Sequence, residues 1–94
     1  METLAEKYKK LIESVHFKAG EFILQIIFTD KSGLFINVTK SFSSAKSTGK
    51  NAELFKDAVN SYEPMMNQII FRFDDNSTIN LIQDISDNLF KLEK

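Results

Sequence analysis

The chain has 94 residues, a length that favours one domain with a modest hydrophobic core. It contains no cysteine, which excludes disulfide bonds, thiolate metal sites and a cysteine nucleophile. The formal net charge is −1, so the composition does not predict the strongly basic surface that is typical of nucleic-acid-binding proteins.

The first residues mix charged and apolar side chains, so the sequence predicts no signal peptide. No apolar run approaches the roughly 20 residues that a membrane span needs. We therefore expect a cytoplasmic protein with no membrane partner. Lysine outnumbers arginine by eleven to one, which suggests an AT-rich genome such as that of a low-GC bacterium, or of a phage or mobile element within one.

The first predicted element is a helix that begins at Thr3. Thr3 and Glu6 have the capping-box spacing, in which each side chain satisfies a free backbone N–H at the helix start. The apolar residues then recur at helical spacing and form one stripe, which consists of Leu4, Tyr8, Leu11, Ile12 and Val15. The helix is expected to stop near Gly20, with His16 and Lys18 at its C-terminal end.

The longest apolar segment, from Phe22 to Phe42, predicts a β-hairpin because its apolar residues recur with a period of two. Residues 30–33 (DKSG) interrupt the run and fit a type I turn with a left-handed glycine at Gly33. In the register that this turn sets, the inward pairs are Phe28 with Ile36 and Ile26 with Val38. The opposite face of the hairpin is mixed.

Residues 43–50 (SSAKSTGK) are small and polar and predict a flexible loop. A second helix is expected from about Asn51, and Pro64 is expected to end it. The apolar side of this helix is predicted to consist of Ala52, Phe55, Val59 and Tyr62.

A second hairpin is predicted from Asn67 to Gln83, with its turn at residues 74–77 (DDNS), where asparagine tolerates a left-handed conformation. A two-residue loop would mix its faces. A three-residue loop keeps one face apolar by pairing Phe73 with Ile79 and Phe71 with Leu81. A short terminal helix is predicted from Asp84, because its apolar residues recur at helical spacing: Ile85, Leu89 and Leu92.

The predicted order is α-ββ-α-ββ-α within a single domain, 1–94. The most economical fold is α+β with two layers, in which a four-stranded, mainly antiparallel sheet has helices on one face. The two αββ halves share a plan, but their side chains align poorly around the turns, so we do not infer an internal repeat from the sequence.

The sequence offers little for catalysis or metal binding. It has one histidine, no His-Glu-x-x-His motif and no EF-hand spacing, so we expect no metal, cofactor or catalytic residue. Ser14 and His16 are two residues apart on the predicted helix and would not face each other. The acidic tip at 74–76 is interpreted as a turn. These observations favour a protein that is not an enzyme.

Two groups of residues are candidates for binding. The first is the mixed sheet face, where apolar residues that one layer of helices leaves half exposed would mark an interaction surface. Its members are Ile23, Gln25, Ile27, Phe35, Asn37, Ile70, Arg72 and Asn80. The second lies in and beside the polar loop, where a strand, a loop and a helix follow in P-loop order without the P-loop residues. Its candidates for contact with an anion are Lys40, Lys46 and Lys50.

The leading functional hypothesis is a small non-enzymatic protein-interaction domain, such as an adaptor, inhibitor or immunity-type protein. It would bind a protein partner through the mixed sheet face or the 43–50 loop. The alternative is nucleic-acid or anionic-ligand binding through the three loop lysines. A homodimer that buries the mixed face is a further alternative.

Overall fold

The structure is a computed structural model that describes residues 2–18, 20–65, 67–84 and 89–92, with side chains described up to residue 82. Within these residues two helices, α1 (Leu4–Leu11) and α2 (Lys50–Ala58), each continue directly into a strand. The strands of the first half are β1 (Ile12–Lys18), β2 (Ile23–Phe28), β3 (Gly33–Asn37) and β4 (Lys46–Ser47), with a 3-10 turn at Phe42–Ser44. The strands of the second half are β5 (Val59–Pro64), β6 (Gln68–Phe73), β7 (Thr78–Asp84) and β8 (Leu89–Leu92).

The strands form two antiparallel sheets rather than one. The first sheet has the order β1-β2-β3-β4 and the second has the order β5-β6-β7-β8. The predicted α+β class with antiparallel pairing is therefore confirmed, whereas the single four-stranded sheet and the order α-ββ-α-ββ-α are wrong. Each half instead has the order α-β-β-β-β.

Each helix packs on the sheet of the other half. Helix α1 contacts β6 and β7, and helix α2 contacts β2 and β3. The two sheets and two helices share one core, because the inward residues of both hairpins belong to a single buried cluster with Tyr8 and Phe55. The ring of Phe55 lies 5.5 Å from that of Phe28 and 5.3 Å from that of Phe71, which joins the two halves at the centre.

Both helices end earlier than predicted, for the same physical reason. A β-bulge lies between Ile12 and Ser14 in β1, and Ile12 and Val15 both pair with inward residues of β2. The extra residue turns a two-residue strand period into a spacing of three, which imitates a helix. The same bulge lies between Val59 and Ser61 in β5.

Because of these bulges, the predicted ends of both helices are wrong. His16 and Lys18 lie in β1 and not at a helix end, and Val59 begins β5. Pro64 lies in β5 and does not end a helix. The predicted terminal helix is also wrong where the structure describes it, because Leu89–Leu92 is strand β8; Ile85 lies outside the described residues.

The hairpins have the predicted faces but different registers. Ile26 pairs with Leu34 instead of Val38, and Phe71 pairs with Ile79 instead of Leu81. Both displacements are an even number of residues, so every side chain keeps its face. In the first turn the left-handed residue is Lys31, at φ 71°, and not Gly33.

The first turn lies earlier than predicted because Asp30 and Ser32 fix it. The amide of Lys31 donates to the carbonyl of Phe28. Oδ1 of Asp30 accepts from the amide and the hydroxyl of Ser32, at 2.9 and 2.5 Å. In the second turn Asp75 and Ser77 make the same pair of contacts, and Asn76 is left-handed at φ 69°, as expected for asparagine.

Each turn also caps the helix of the other half. Oδ2 of Asp30 accepts from the amide of Asn51 at 3.1 Å, and Oγ of Ser32 accepts from the amide of Ala52 at 3.0 Å. These donors are free N–H groups at the start of α2.

The second turn caps α1 with the same two residue types. Oδ2 of Asp75 accepts from the amide of Leu4 at 2.8 Å, and Oγ of Ser77 accepts from the amide of Ala5 at 3.0 Å. Shared element order, bulges, turns and caps show that the two halves repeat one structural unit. The structure therefore reveals an internal repeat that the sequence alone did not support.

Candidate functional site

The predicted mixed face is divided between the two sheets. Directly paired residues of antiparallel strands lie on the same face. By this rule one group shares the solvent side of the first sheet: Ile23, Gln25, Ile27, Phe35 and Asn37. The other group shares the solvent side of the second sheet: Ile70, Arg72 and Asn80. The expectation of one continuous surface is wrong because the chain builds two sheets.

We use "outer face" for the solvent side of the first sheet. It includes residues of the first strand that the sequence placed on a helix: Ser14 pairs with Ile27, His16 with Gln25 and Lys18 with Ile23. Lys46 of β4 pairs with Phe35 and joins the same face. Lys18 and Lys46 are the charged residues that pair on this face, and Glu13, the exposed bulge residue next to Ser14, forms an ion pair with Lys31 at 3.2 Å.

A cleft of about 240 Å³ opens at one end of the outer face. It is lined by Ile23, Phe35, Asn37, Lys40, Ser44 and Lys46. The cleft therefore brings together residues from both groups of candidates, three from the mixed face and two from the lysine set. Lys50 does not line it, because this residue begins α2.

The cleft has an apolar side and a basic side. Ile23 and Phe35 are half-buried members of β2 and β3. The ring of Phe35 lies along its own strand, so that a Cβ added to Gly33 would be 3.3 Å from it. Lys40 and Lys46 lie on the segment that leaves β3, and in the described part of the chain neither forms an ion pair.

The segment from residue 38 to residue 47 packs on the core, and the predicted loop at 43–50 includes part of the 3-10 turn, strand β4 and the first residue of α2. The amide of Lys40 donates to the carbonyl of Asn37 at 3.0 Å, and this contact turns the chain at the end of β3. The ring of Phe42 then packs on Tyr62, with centroids 5.2 Å apart. Nζ of Lys56 donates to the carbonyl of Ala45 at 2.6 Å.

Asn37 has a structural role beside the cleft. Its Oδ1 accepts from the amide of Thr39 at 2.9 Å and from the Thr39 hydroxyl at 2.5 Å. This contact stabilises the turn that presents Lys40. Asn37 therefore positions the lysine at the rim, and its own carbonyl oxygen is already engaged.

Phe22 is a feature that the alternating pattern did not distinguish. It precedes β2, is 53% exposed, and has a left-handed φ of 58°. An aromatic residue in this conformation is uncommon. Its carbonyl accepts from the amide of Val38 at 3.0 Å, which closes the end of the hairpin beside the cleft. The preceding residues, Gly20 and Glu21, do not predict the left-handed conformation of Phe22.

The chemical groups of the site do not form a nucleophile–base arrangement. Ser14 and His16 share the outer face because they lie in a strand, so the helical reason for separating them is wrong. Among the described residues no hydrogen bond joins Ser14 to His16, as a serine nucleophile and its base would require. Among the described residues no three His, Asp or Glu side chains are grouped closely enough to hold a metal ion.

The two most perturbed carboxylates serve the turns. Hydrogen bonds from Ser32 hold the pKa of Asp30 below its usual value. The amide of Leu4 and the hydroxyl of Ser77 lower the pKa of Asp75 in the same way. The acidic tip at 74–76 therefore folds the second hairpin, as its sequence predicts.

Tyr62 is the most perturbed of the described tyrosines. Burial raises its pKa to about 12. Its hydroxyl oxygen is buried and has no hydrogen-bond partner among the described residues. The ring packs between Phe42 and Phe71, at 5.2 and 5.5 Å. Tyr62 thus belongs to the core and lies away from the residues that line the cleft.

Comparison with protein-family models, with curated proteins and with solved structures finds no match to this chain. In the described part of the chain no helix is long and apolar enough to cross a bilayer. The functional argument therefore depends on the cleft and the outer face.

Proposed function

We propose that this chain is a non-enzymatic protein-interaction domain that binds a protein partner through the outer face of the first sheet. The observation that supports it is the cleft, which joins half-buried apolar side chains of the sheet to two lysines. Interaction surfaces combine a desolvated apolar centre with a polar rim. An adaptor, inhibitor or immunity-type protein acts through such a surface and needs no catalytic group.

The second sheet is the weaker candidate for the binding surface. Its solvent side includes Ile70 and Ile82, but it also includes Glu63 and Arg72, which have opposite charges. The cleft described above is lined by residues of the first half. We therefore narrow the proposal to the outer face, and Arg72 becomes a control position.

The experiment is capture of partners from the source organism with three baits: the wild type, Phe35→Ala and Ile82→Ala. Both variants remove a large side chain that is not fully buried, one from each sheet. Thermal unfolding of each bait verifies that the fold is retained.

We expect a partner that wild type and Ile82→Ala retain and that Phe35→Ala binds at least about tenfold more weakly, as for a central interface residue. Equal retention by all three baits would contradict the proposal. If light scattering shows a stable dimer that Phe35→Ala dissociates, the partner is a second copy of the chain.

Nucleic-acid or anionic-ligand binding is the second candidate, because Lys40 and Lys46 line the same cleft. Phosphate contacts make affinity fall steeply with salt. A mobility-shift titration with single-stranded and double-stranded DNA and RNA at low salt tests this candidate. The absence of any shift would remove it.

A further inference from the structure

We infer that the cleft takes an extended acidic segment of the partner, in which a carboxylate side chain and an apolar side chain enter together. This inference rests on the proposed function and names the chemistry of the partner at the same site. The apolar side chain would lie on Ile23 and Phe35. The carboxylate would lie between Lys40 and Lys46.

The charge distribution supports an acidic occupant. Lys40 and Lys46 have no ion-pair partner in the described residues, so both ammonium groups are available to a ligand. Lys18 adds a third positive charge, since it pairs with Ile23 at the same end of the sheet. Among the described residues no acidic side chain lines the cleft. A partner that brings carboxylates therefore meets complementary potential.

The size of the cleft supports a short segment of protein. A volume of about 240 Å³ is below the range of about 300 to 1,000 Å³ for pockets that bury a drug-sized ligand. It suits one or two side chains of a longer segment that continues along the sheet. The outer face has an apolar row that consists of Ile23, Ile27 and Phe35. Its member Ile27 does not line the cleft and gives such a segment an apolar surface beyond it.

The same observations favour carboxylates over a nucleic acid. Binding of single strands combines a basic groove with several aromatic platforms. The outer face offers the ring of Phe35 and the imidazole of His16 rather than a series of aromatic platforms, and lysines without arginine among its described strand residues.

The test is a titration of isotope-labelled protein with synthetic capped peptides, followed by amide chemical shifts. One peptide alternates glutamate with leucine, a second replaces each glutamate by glutamine, and a third replaces it by lysine. An oligothymidylate is the fourth probe. We expect the glutamate peptide to shift the amides of Ile23, Phe35 and Lys46 and the other three to bind at least several-fold more weakly.

Two variants identify the source of the selectivity. Lys40→Ala combined with Lys46→Ala should weaken the glutamate peptide about 2- to 10-fold, as expected for two exposed ion pairs. Lys50→Ala is the matched control, because this lysine lies outside the cleft, and it should leave the affinity unchanged. Raising the salt from about 50 to about 200 mM should weaken the glutamate peptide and not the glutamine peptide.

Several results would overturn the inference. They are equal binding of the glutamate and glutamine peptides, tighter binding of the oligothymidylate at the cleft, or no shift with any peptide. If the partner still depends on Phe35 in those cases, the proposed function survives without its acidic ligand. If the partner binds the Phe35→Ala variant as tightly as it binds the wild type, both the proposed function and this inference fail.

Discussion

The two halves of the chain have the same framework and different solvent faces. Asp30 and Ser32 of the first half correspond to Asp75 and Ser77 of the second, and each pair fixes a turn and caps the opposite helix. What the halves share is therefore explained by folding alone. Residues that differ at matched positions are free of that requirement, and function is to be sought among them.

The solvent faces differ in the way that this reasoning requires. Counted from the two matched turns, Ile27 corresponds to Arg72 and Phe35 corresponds to Asn80. The inward positions keep their apolar character, as in the matched pair Phe28 and Phe73. Thus the core is duplicated, whereas the apolar row of the first half has polar counterparts in the second half, namely Gln68, Arg72 and Asn80.

The largest expected effect concerns a glycine that the framework needs. A Cβ added to Gly49 would lie 2.5 Å from Cβ of Ser32, the residue that caps α2. We expect Gly49→Ala to lower the free energy of unfolding by roughly 1 to 3 kcal/mol through overpacking. Urea denaturation followed by circular dichroism measures it.

Gly20→Ala is the control for this substitution. No heavy atom of the described residues lies within 4 Å of a Cβ added to Gly20, so we expect a change within about 0.5 kcal/mol. If the two alanine variants are equally stable, the close approach of Gly49 to Ser32 is not a requirement of the fold.

The next effect tests whether the caps are equivalent. Ser32→Ala and Ser77→Ala each remove the hydroxyl that accepts from a helix N-terminal amide of the other half. We expect each to lower the free energy of unfolding by about 0.5 to 2 kcal/mol, as for other lost caps. The threonine variants keep a hydroxyl and should recover part of the loss. A large effect in one half and none in the other would break the equivalence.

The smallest effect is the pH dependence of stability. The pKa values of Asp30 and Asp75 are lowered by hydrogen bonds in the folded state. Their stabilisation is therefore present above the unfolded-state pKa of about 3.9 and is lost as the pH falls through the folded-state pKa values.

The double variant Asp30→Asn with Asp75→Asn cannot lose this charge. We expect its free energy of unfolding to fall less steeply than that of the wild type between about pH 5 and pH 2. Denaturant titrations at several pH values measure the slope. Parallel curves for the two proteins would contradict the assigned cause of the pKa shifts.

The sequence predicts much of this fold, because period-two patterns place residues on the correct faces. Ile26, Phe28, Phe71 and Phe73 are buried as expected. The exact register escapes prediction, since a slip by an even number of residues leaves the faces unchanged. The turn of the first hairpin was misplaced because Gly33 was the obvious left-handed residue, and Lys31 takes that conformation instead.

The two-sheet architecture could not be derived from local patterns. Because of the bulges in β1 and β5, the apolar spacing at the start of each strand resembles that of a helix. The sequence pattern therefore places the boundary between helix and strand too late in each half. The helix caps cannot be predicted for another reason. The amide of Leu4 and the carboxylate of Asp75 that accepts from it are 71 positions apart, and each residue also fits a local pattern of its own. Of the residues that line the cleft, Phe35, Lys40 and Lys46 can be named as candidates from the sequence, whereas Lys18 joins this end of the sheet only once its strand is known.

The central claim is that binding depends on what differs between the halves, and one pair of matched variants tests it most directly. The measurement is the calorimetric affinity of Ile27→Ala and of Arg72→Ala for a partner captured by the wild type. We expect Ile27→Ala to weaken binding about fivefold or more and Arg72→Ala to leave it unchanged, with both variants folded. Weaker binding by Arg72→Ala together with unchanged binding by Ile27→Ala would contradict the account.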